Sequence, residues 1–159
     1  MSWPHTRALP TGLTHSRAVC SSLEPLSRKG DRQIIAHPEN GPPIWIIDAE
    51  HWPRAYMVAE LQERGYDATG FITILDAIAA LRSKRPRPKG IVLELRGQKL
   101  ARVEIESLVQ SRIPLVVIGG QIEFNEPLLK HFKFGASLVR PVSIGKVADT
   151  VERCIAKET

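Results

Sequence analysis

The sequence has only two cysteines, Cys20 and Cys154, and their separation matches neither a metal-binding motif nor a disulfide framework. No apolar run approaches the length that a membrane-spanning helix needs. The N-terminus also lacks the apolar core of a signal peptide. These absences argue against a disulfide-stapled secreted scaffold and an integral membrane protein. They predict a cytoplasmic protein that does not contact a membrane.

Sequence signatures of enzymes are also missing. Gly119-Gly120 is not followed by the Lys-Ser or Lys-Thr of a phosphate-binding P-loop, and no GxGxxG motif follows the first apolar run. His51 lies beside Glu50, but the sequence shows no third ligand for a transition metal, so we interpret His51 as a surface histidine. No Ser/His/Asp or Cys/His arrangement indicates nucleophilic catalysis. We therefore expect a protein that is not an enzyme and holds no organic cofactor.

The composition is that of a folded protein with a basic excess. Hydrophobic residues make up 43% of the chain and charged residues 25%, which suits one ordinary domain. The net charge is +5, and the densest basic run lies between Arg82 and Lys89. We interpret this run as a solvated loop after a helix, with nucleic-acid binding as the alternative.

The residue pattern of the chain changes after Pro43. Residues 1–42 carry many prolines, serines and arginines without a sustained apolar period, which predicts a flexible tail. Residues 43–158 alternate short apolar runs with helical patterns and are predicted to form the folded domain. Strands are expected at 44–47, 67–71, 91–93, 114–118 and 137–139.

A helix is predicted after each of these strands. The first has Pro53 in its first turn and ends at Gly65, and the last is capped by Ser143. A fourth helix is predicted to begin at an Asn125 cap, with Pro127 in its first turn. Five repeated strand–helix units predict a parallel sheet covered on both faces. In that arrangement Cys154 packs as a small hydrophobic residue.

Polar residues follow several of the predicted strands. In open parallel sheets, the carboxyl ends of the strands meet at one edge, where binding sites form. The residues expected at that edge are Asp48, Ala49, Glu50, Glu94, Gly119, Gly120, Arg140 and Pro141. The pattern therefore brings acidic side chains close to one cation.

These strand ends resemble the receiver domains of bacterial response regulators. The segments that carry the resemblance are IWIIDAE (44–50), IVLEL (91–95), IPLVVIGG (113–120), FGA (134–136) and LVRP (138–141). The resemblance implies a flavodoxin-like, doubly wound sheet of five parallel strands in a three-layer (βα)5 sandwich. It also implies a site that accepts a phosphoryl group on an aspartate beside Mg²⁺ held by an acidic pair.

The sequence departs from the family pattern at most of these site positions. The phosphoacceptor position holds Glu94, and the acidic pocket is reduced to Asp48, Ala49 and Glu50. The switch positions hold Gly119 in place of a hydroxyl residue and Ser137 in place of an aromatic residue. The position of the family's lysine holds Arg140, followed by the retained Pro141.

These departures predict a charge-paired site that has lost the phosphorylation chemistry. Glu94 is expected to pair with Arg140, through as many as two hydrogen bonds. This pair is interpreted either as a mimic of a phosphorylated state or as an ion pair without signalling meaning. Asp48 is expected to accept hydrogen bonds from nearby backbone amides or from Arg140. No metal is expected, and a residual Mg²⁺ site would rest on Asp48 and Glu50.

The resulting functional hypothesis is a stand-alone, atypical receiver that acts through protein–protein interaction. Its expected partner is a histidine kinase or another regulator, or a second copy bound through the fourth helix, fifth strand and fifth helix. Lys130, Lys133 and Lys146 are the candidate partner-surface residues, with Lys130 and Lys133 placed on a basic face of the fourth helix. The alternatives are a phosphoacceptor in a phosphorelay and a nucleic-acid-associated regulator that uses the basic tail and loop 82–89. Nucleic acid is not the favoured partner.

Overall fold

The computed structural model describes residues 41–157. They form five strands and five α-helices in strict alternation, with one 3₁₀ turn, Leu129–His131, before the last strand. The strands are β1 (Pro43–Ile47), β2 (Asp67–Phe71), β3 (Gly90–Glu94), β4 (Leu115–Gly119) and β5 (Ala136–Val139). The helices are α1 (His51–Glu63), α2 (Ile74–Leu81), α3 (Arg102–Gln110), α4 (Gln121–Phe124) and α5 (Ile144–Ala156).

All five strands belong to one parallel sheet in the order β2-β1-β3-β4-β5. The central strands β3 and β4 are buried along their whole length, because helices cover both of their faces. Strand β2 lies on one side of β1, whereas β3, β4 and β5 follow on its other side, so the order in which strands are added reverses between β1 and β3. The predicted flavodoxin-like, doubly wound fold is therefore confirmed.

Alternate residues of the strands point to opposite faces of the sheet and form two separate apolar layers. In β1, Trp45 and Ile47 pack with α2 and α3, whereas Ile44 and Ile46 pack with α1 and α5. Cys154 lies in the second layer and is 8% exposed, as its apolar setting in the sequence predicted. Cys20 lies outside the described residues.

The predicted ends of the first and last helices are confirmed. Gly65 follows α1 with φ of 91°, a left-handed conformation that glycine adopts without steric cost. The Ser143 side chain accepts a hydrogen bond from the backbone N–H of Lys146 and caps α5. Thr73 caps α2 in the same way, through the N–H of Asp76, and the sequence analysis did not identify it.

The prediction for the fourth helix is wrong. Asn125 ends α4 instead of starting it, because its backbone N–H donates to the carbonyl of Gln121. Pro127 disfavours helical geometry at the preceding residue, so the single turn of α4 does not continue. Lys130 falls in the 3₁₀ turn and Lys133 in the loop before β5, so no basic face of α4 exists.

The three candidate partner-surface lysines also do not lie together. Lys133 precedes β5, at the amino end of the sheet, whereas Lys146 is in the first turn of α5, at the carboxyl end. None of the helices between residues 41 and 157 is long and apolar enough to cross a membrane. The predicted tail, apart from Gly41 and Pro42, lies outside the described residues.

We predict that Ser143→Ala lowers the free energy of unfolding by about 1 kcal/mol, because the first turn of α5 loses its side-chain acceptor. Urea denaturation followed by circular dichroism measures the change. Ser143→Asp is the matched control, since it keeps an acceptor at the cap. Equal stability of the alanine and aspartate variants would contradict the capping role.

Candidate functional site

The polar residues predicted to gather do meet at the carboxyl edge of the sheet. The ends of β1 and β3 are neighbours, and β5 returns beside β4 so that Arg140 follows at the same level. Three charged side chains converge there: Asp48, Glu94 and Arg140. They line one wall of a cavity of about 70 Å³ whose other walls are largely apolar side chains of β1, β3, β4, α1 and α5.

The ion pair between Glu94 and Arg140 is the centre of this site. Glu94 is 2% exposed, and its Oε2 accepts a hydrogen bond from Nε of Arg140 at 3.0 Å and a second from a terminal nitrogen of the same guanidinium. The other carboxylate oxygen, Oε1, accepts from the backbone N–H of Arg96 at 3.1 Å. The predicted pairing is thus present, with Nε and one terminal nitrogen of the guanidinium both directed at the same carboxylate oxygen.

The pair is held in place electrostatically. The hydrogen bond to Glu94 raises the pKa of Arg140 above its ordinary value, and the charges of Glu94, Asp48 and Glu50 act in the same direction. The guanidinium is therefore charged at every accessible pH, and both oxygens of the buried carboxylate have donors. Glu94 is a satisfied anion at the position where the resemblance places a phosphoacceptor.

Asp48 lies beside the pair without a hydrogen bond to Arg140. It is 6% exposed, and its Oδ1 accepts from the backbone N–H of Glu50 at 2.8 Å. Burial raises its pKa above the ordinary value of 3.8, and the negative charges of Glu94 and Glu50 raise it further. The backbone hydrogen bond from Glu50 and the charge of Arg140 oppose this rise. Asp48 is therefore a backbone acceptor, one of the two roles expected of it.

The other two residues of the acidic remnant face away from the ion pair. The Glu50 carboxylate pairs with Nε of Arg96 at 2.9 Å, where both side chains are 48% exposed. Ala49 packs against Gly97: a Cβ on Gly97 would lie 2.9 Å from the Cβ of Ala49, and its φ of 76° also favours glycine. The loops after β1 and β3 thus close together over small residues.

These residues do not fit the Mg²⁺ that the resemblance implies. Mg²⁺ needs several oxygen ligands in near-octahedral arrangement. The Glu94 carboxylate is paired with the guanidinium of Arg140, the Glu50 carboxylate is paired with Arg96, and the methyl group of Ala49 supplies no ligand. Within residues 41–157, no group of three or more His, Cys, Asp or Glu side chains is placed to hold a metal ion. At the carboxyl edge of the sheet, where the resemblance implies Mg²⁺, the positive charge is the guanidinium of Arg140.

The two positions that the resemblance assigns to a switch hold Gly119 and Ser137, and the space beside Gly119 is filled by the side chain of Leu95. A Cβ on Gly119 would lie 2.8 Å from Cδ1 of Leu95, which is 2% exposed. Gly119 therefore allows Leu95 to pack over the end of β4. Ser137 is exposed on the edge strand β5, and the peptide bond between Arg140 and Pro141 is cis.

Two residues that position the site were missed in the sequence. In the sequence, Leu95 is only the last residue of the segment IVLEL (91–95), and nothing singles out Arg54. The guanidinium of Arg54 donates to the carbonyl oxygens of Asp48 and Glu50, and its methylene groups lie against Gly70. The spacing of six residues from Asp48 to Arg54, one helical turn into α1, is the only signal that could have indicated this contact.

No protein-family model matches the chain, and no curated protein matches it by sequence. Solved structures do match. A response regulator receiver protein from Sinorhizobium medicae aligns with a TM-score of 0.63 and 17% identity, over 76% of this chain and 98% of that one. A response regulator receiver domain from Clostridium thermocellum aligns with a TM-score of 0.64 and 12% identity, over 74% and 96% of the two chains.

A third similar structure is the beryllofluoride-activated NtrC receiver domain, with a TM-score of 0.58, 20% identity and coverage of 74% of this chain and 97% of that one. The described domain therefore has the fold of response regulator receiver domains. At these identities the likeness establishes the fold, and the function has to be argued from the site.

We predict that Arg140→Met lowers the free energy of unfolding by about 3–5 kcal/mol, because it leaves the buried Glu94 carboxylate without its counter-charge. Replacing both partners with methionine is expected to recover most of this loss. Urea denaturation at pH 7 measures both effects. As a control, Arg96→Met breaks a half-exposed pair and costs at most about 1 kcal/mol. Equal losses for Arg140→Met and Arg96→Met would contradict the burial of the central pair.

We predict that Asp48→Asn stabilises the fold at neutral pH. Because burial raises the pKa of Asp48 in the folded state, its ionised form disfavours folding, whereas asparagine still accepts the hydrogen bond from Glu50. The gain shrinks as the pH falls through the raised pKa and is gone below 3.8, the ordinary value. Unfolding free energies between pH 3 and pH 8 measure this dependence.

Asp149→Asn is the control of opposite sign. The hydrogen bond from Arg64 lowers the pKa of Asp149, so this variant loses stability at neutral pH, and the loss fades as the pH falls from 3.8 through the lowered pKa. An Asp48→Asn variant that is less stable than the parent at pH 7, with a deficit that acid removes, would contradict the effect of burial on Asp48.

Proposed function

We propose that this chain is an atypical receiver-like module of two-component signalling that acts by protein–protein interaction, independently of aspartyl phosphorylation. It is not an enzyme and uses no Mg²⁺. The histidine kinase or regulator expected from the resemblance is the proposed partner class. The fold shared with response regulator receivers supports the signalling role.

The observation that carries this proposal is that both carboxylate oxygens of Glu94 already accept hydrogen bonds. A phosphoacceptor carboxylate needs a free oxygen that can attack phosphorus, with positive charge nearby to offset the phosphoryl oxygens. Here both oxygens of Glu94 accept hydrogen bonds, and the cation that would stabilise a phosphoryl group is paired with the carboxylate itself. The internal ion pair therefore takes the place of the phosphoryl–cation contact.

Two further features support a single fixed state. Leu95 occupies the space beside Gly119 where a hydroxyl side chain would stand. Ser137 holds the position in β5 to which the resemblance assigns an aromatic residue that responds to such a hydroxyl. Because neither part of the usual switch is present, we expect the surface seen by a partner to be constant.

A homodimer through α4, β5 and α5 stays a prediction. Edge strand β5 exposes Val139, which is 47% exposed, but α4 is a single turn and contributes little surface. Sedimentation equilibrium of the full chain, compared with Val139→Lys, measures whether this edge mediates association.

The proposed function is tested with the phosphoryl mimic beryllofluoride. Amide ¹H–¹⁵N spectra of the full chain are recorded in the presence of millimolar MgCl₂ and then with beryllofluoride added. We expect no saturable shifts around Glu94, because both of its carboxylate oxygens already accept hydrogen bonds and the neighbouring residues form no ligand set for Mg²⁺.

The matched variant restores the family's residue types at the same edge: Ala49→Asp, Glu94→Asp and Arg140→Lys together. It is expected to gain saturable shifts on Mg²⁺ addition, since two carboxylates and a shorter acceptor then face a free edge. Incorporation of phosphate from acetyl phosphate into the unmodified chain, lost on Asp48→Ala or Glu94→Ala, would replace this proposal with the phosphorelay alternative.

A further inference from the structure

Cations collect at the end of the sheet opposite the ion pair. The loop before β3, the turn before β4, the loop before β5 and the last turns of α5 all lie at the amino edge of the strands. Each carries exposed lysine or arginine side chains, and we call them together the basic face. Its residues are Arg82, Lys84, Arg85, Arg87, Lys89, Arg112, Lys133, Arg153 and Lys157.

The sequence showed only part of this surface. The run from Arg82 to Lys89 stood out, whereas Arg112, Lys133 and Lys157 are far from it in the chain. Topology brings them together, because β3, β4 and β5 are consecutive neighbours in the sheet. Strands are spaced by about 4.8 Å, so the loops that precede them form one continuous surface.

Direct contacts confirm this continuity. The guanidinium of Arg87 donates to the carbonyl of Ser111 at 3.1 Å, which ties the loop before β3 to the turn before β4. A cavity of about 310 Å³ then joins Arg112 of that turn to Lys133 and Lys157. A second cavity, of about 270 Å³, lies between Arg82 and Ser111.

The charge of the basic face is not neutralised from within. The segments 82–89, 111–114, 132–135 and 153–157 contain no Asp or Glu, whereas the rest of the described chain has more acids than cations. Every ion pair within residues 41–157 uses Arg64, Arg96 or Arg140, none of which belongs to the basic face. Segregated, uncompensated charge of this kind attracts a polyanion.

The apolar content of the surface distinguishes between two macromolecular polyanions, an acidic protein and a nucleic acid. Protein interfaces are anchored by buried aromatic and aliphatic side chains. The large exposed hydrophobic residues of the described chain all lie elsewhere: Trp52, Tyr56, Ile72, Leu75, Val103, Ile122 and Val139. Binding to a phosphate backbone needs no such anchors. The aromatic residues of this face, Phe132 and Phe134, are partly buried against the core, which disfavours single strands, whose bases stack on exposed aromatic rings.

We propose that the basic face binds the phosphate backbone of double-stranded nucleic acid without sequence preference. The helices that reach this face, α2, α3 and α5, end there with their last turns, so none lies along the face to enter a groove, and the contacts are electrostatic. The interaction does not depend on the Glu94–Arg140 pair, which lies at the other end of every strand.

The test uses the full chain and a fluorescein-labelled duplex of arbitrary sequence and about 25 base pairs, roughly 85 Å long at 3.4 Å per base pair, with anisotropy measured at several KCl concentrations. Each phosphate contact contributes about 0.9 to the slope of log K against log [salt]. We expect Lys84→Gln/Arg85→Gln and Arg112→Gln/Lys133→Gln each to reduce the slope by one to two, roughly one for every cation removed.

The matched control is Lys99→Gln/Arg102→Gln, which removes the same charge from the carboxyl end of the sheet. It is expected to leave the slope unchanged. Equal losses in control and test variants would overturn the proposal, because net charge alone would then explain binding. A slope that no variant changes, or no binding at low salt, would also overturn it. Tighter binding of labelled polyglutamate than of the duplex would assign the face to an acidic protein instead.

Discussion

The buried ion pair between Glu94 and Arg140 is the interaction on which the site depends. A carboxylate that is 2% exposed needs a counter-charge and donors for both oxygens, and this one has the Arg140 guanidinium on one oxygen and a backbone N–H on the other. The loops after β3 and β5 are joined by these contacts. A ligand of Glu94 or Arg140 therefore has to displace an internal partner first.

The neighbouring residues are consistent with a permanently occupied site. Ala49 allows Gly97 to approach, Gly119 allows Leu95 to pack, and Glu50 turns outward to Arg96. Each of the two small residues occupies a position to which the resemblance assigns a larger polar side chain, and each allows close packing here. Asp48 alone keeps a buried carboxylate beside the pair, with a pKa that burial raises.

The sequence was sufficient to predict the fold and the central contact, because both follow from strong local patterns. Five short strands alternating with helical patterns define the parallel sheet, and three of these strands are followed by a charged residue. Because the carboxyl ends of parallel strands meet at one edge, this pattern brought Glu94 to Arg140. The fourth helix was predicted wrongly because Asn125 and Pro127 suit either end of a helix, and only the tertiary setting selects one. The packing of Leu95 on Gly119 and the full extent of the basic face were missed because they depend on contacts between residues distant in the chain. The contact of Arg54 was missed although it is local, because its acceptors are backbone carbonyls, which the residue pattern does not show.

The central claim is that Arg140 is held by Glu94 and is therefore not available to a phosphoryl group. The side-chain Nε–Hε resonance of Arg140, observed by ¹H–¹⁵N NMR in the full chain, reports this contact directly. The account predicts a resonance that exchanges slowly with water, does not move when Mg²⁺ and beryllofluoride are added, and loses its protection in Glu94→Gln. A resonance that exchanges rapidly in the parent chain, or shifts saturably with beryllofluoride, would contradict it.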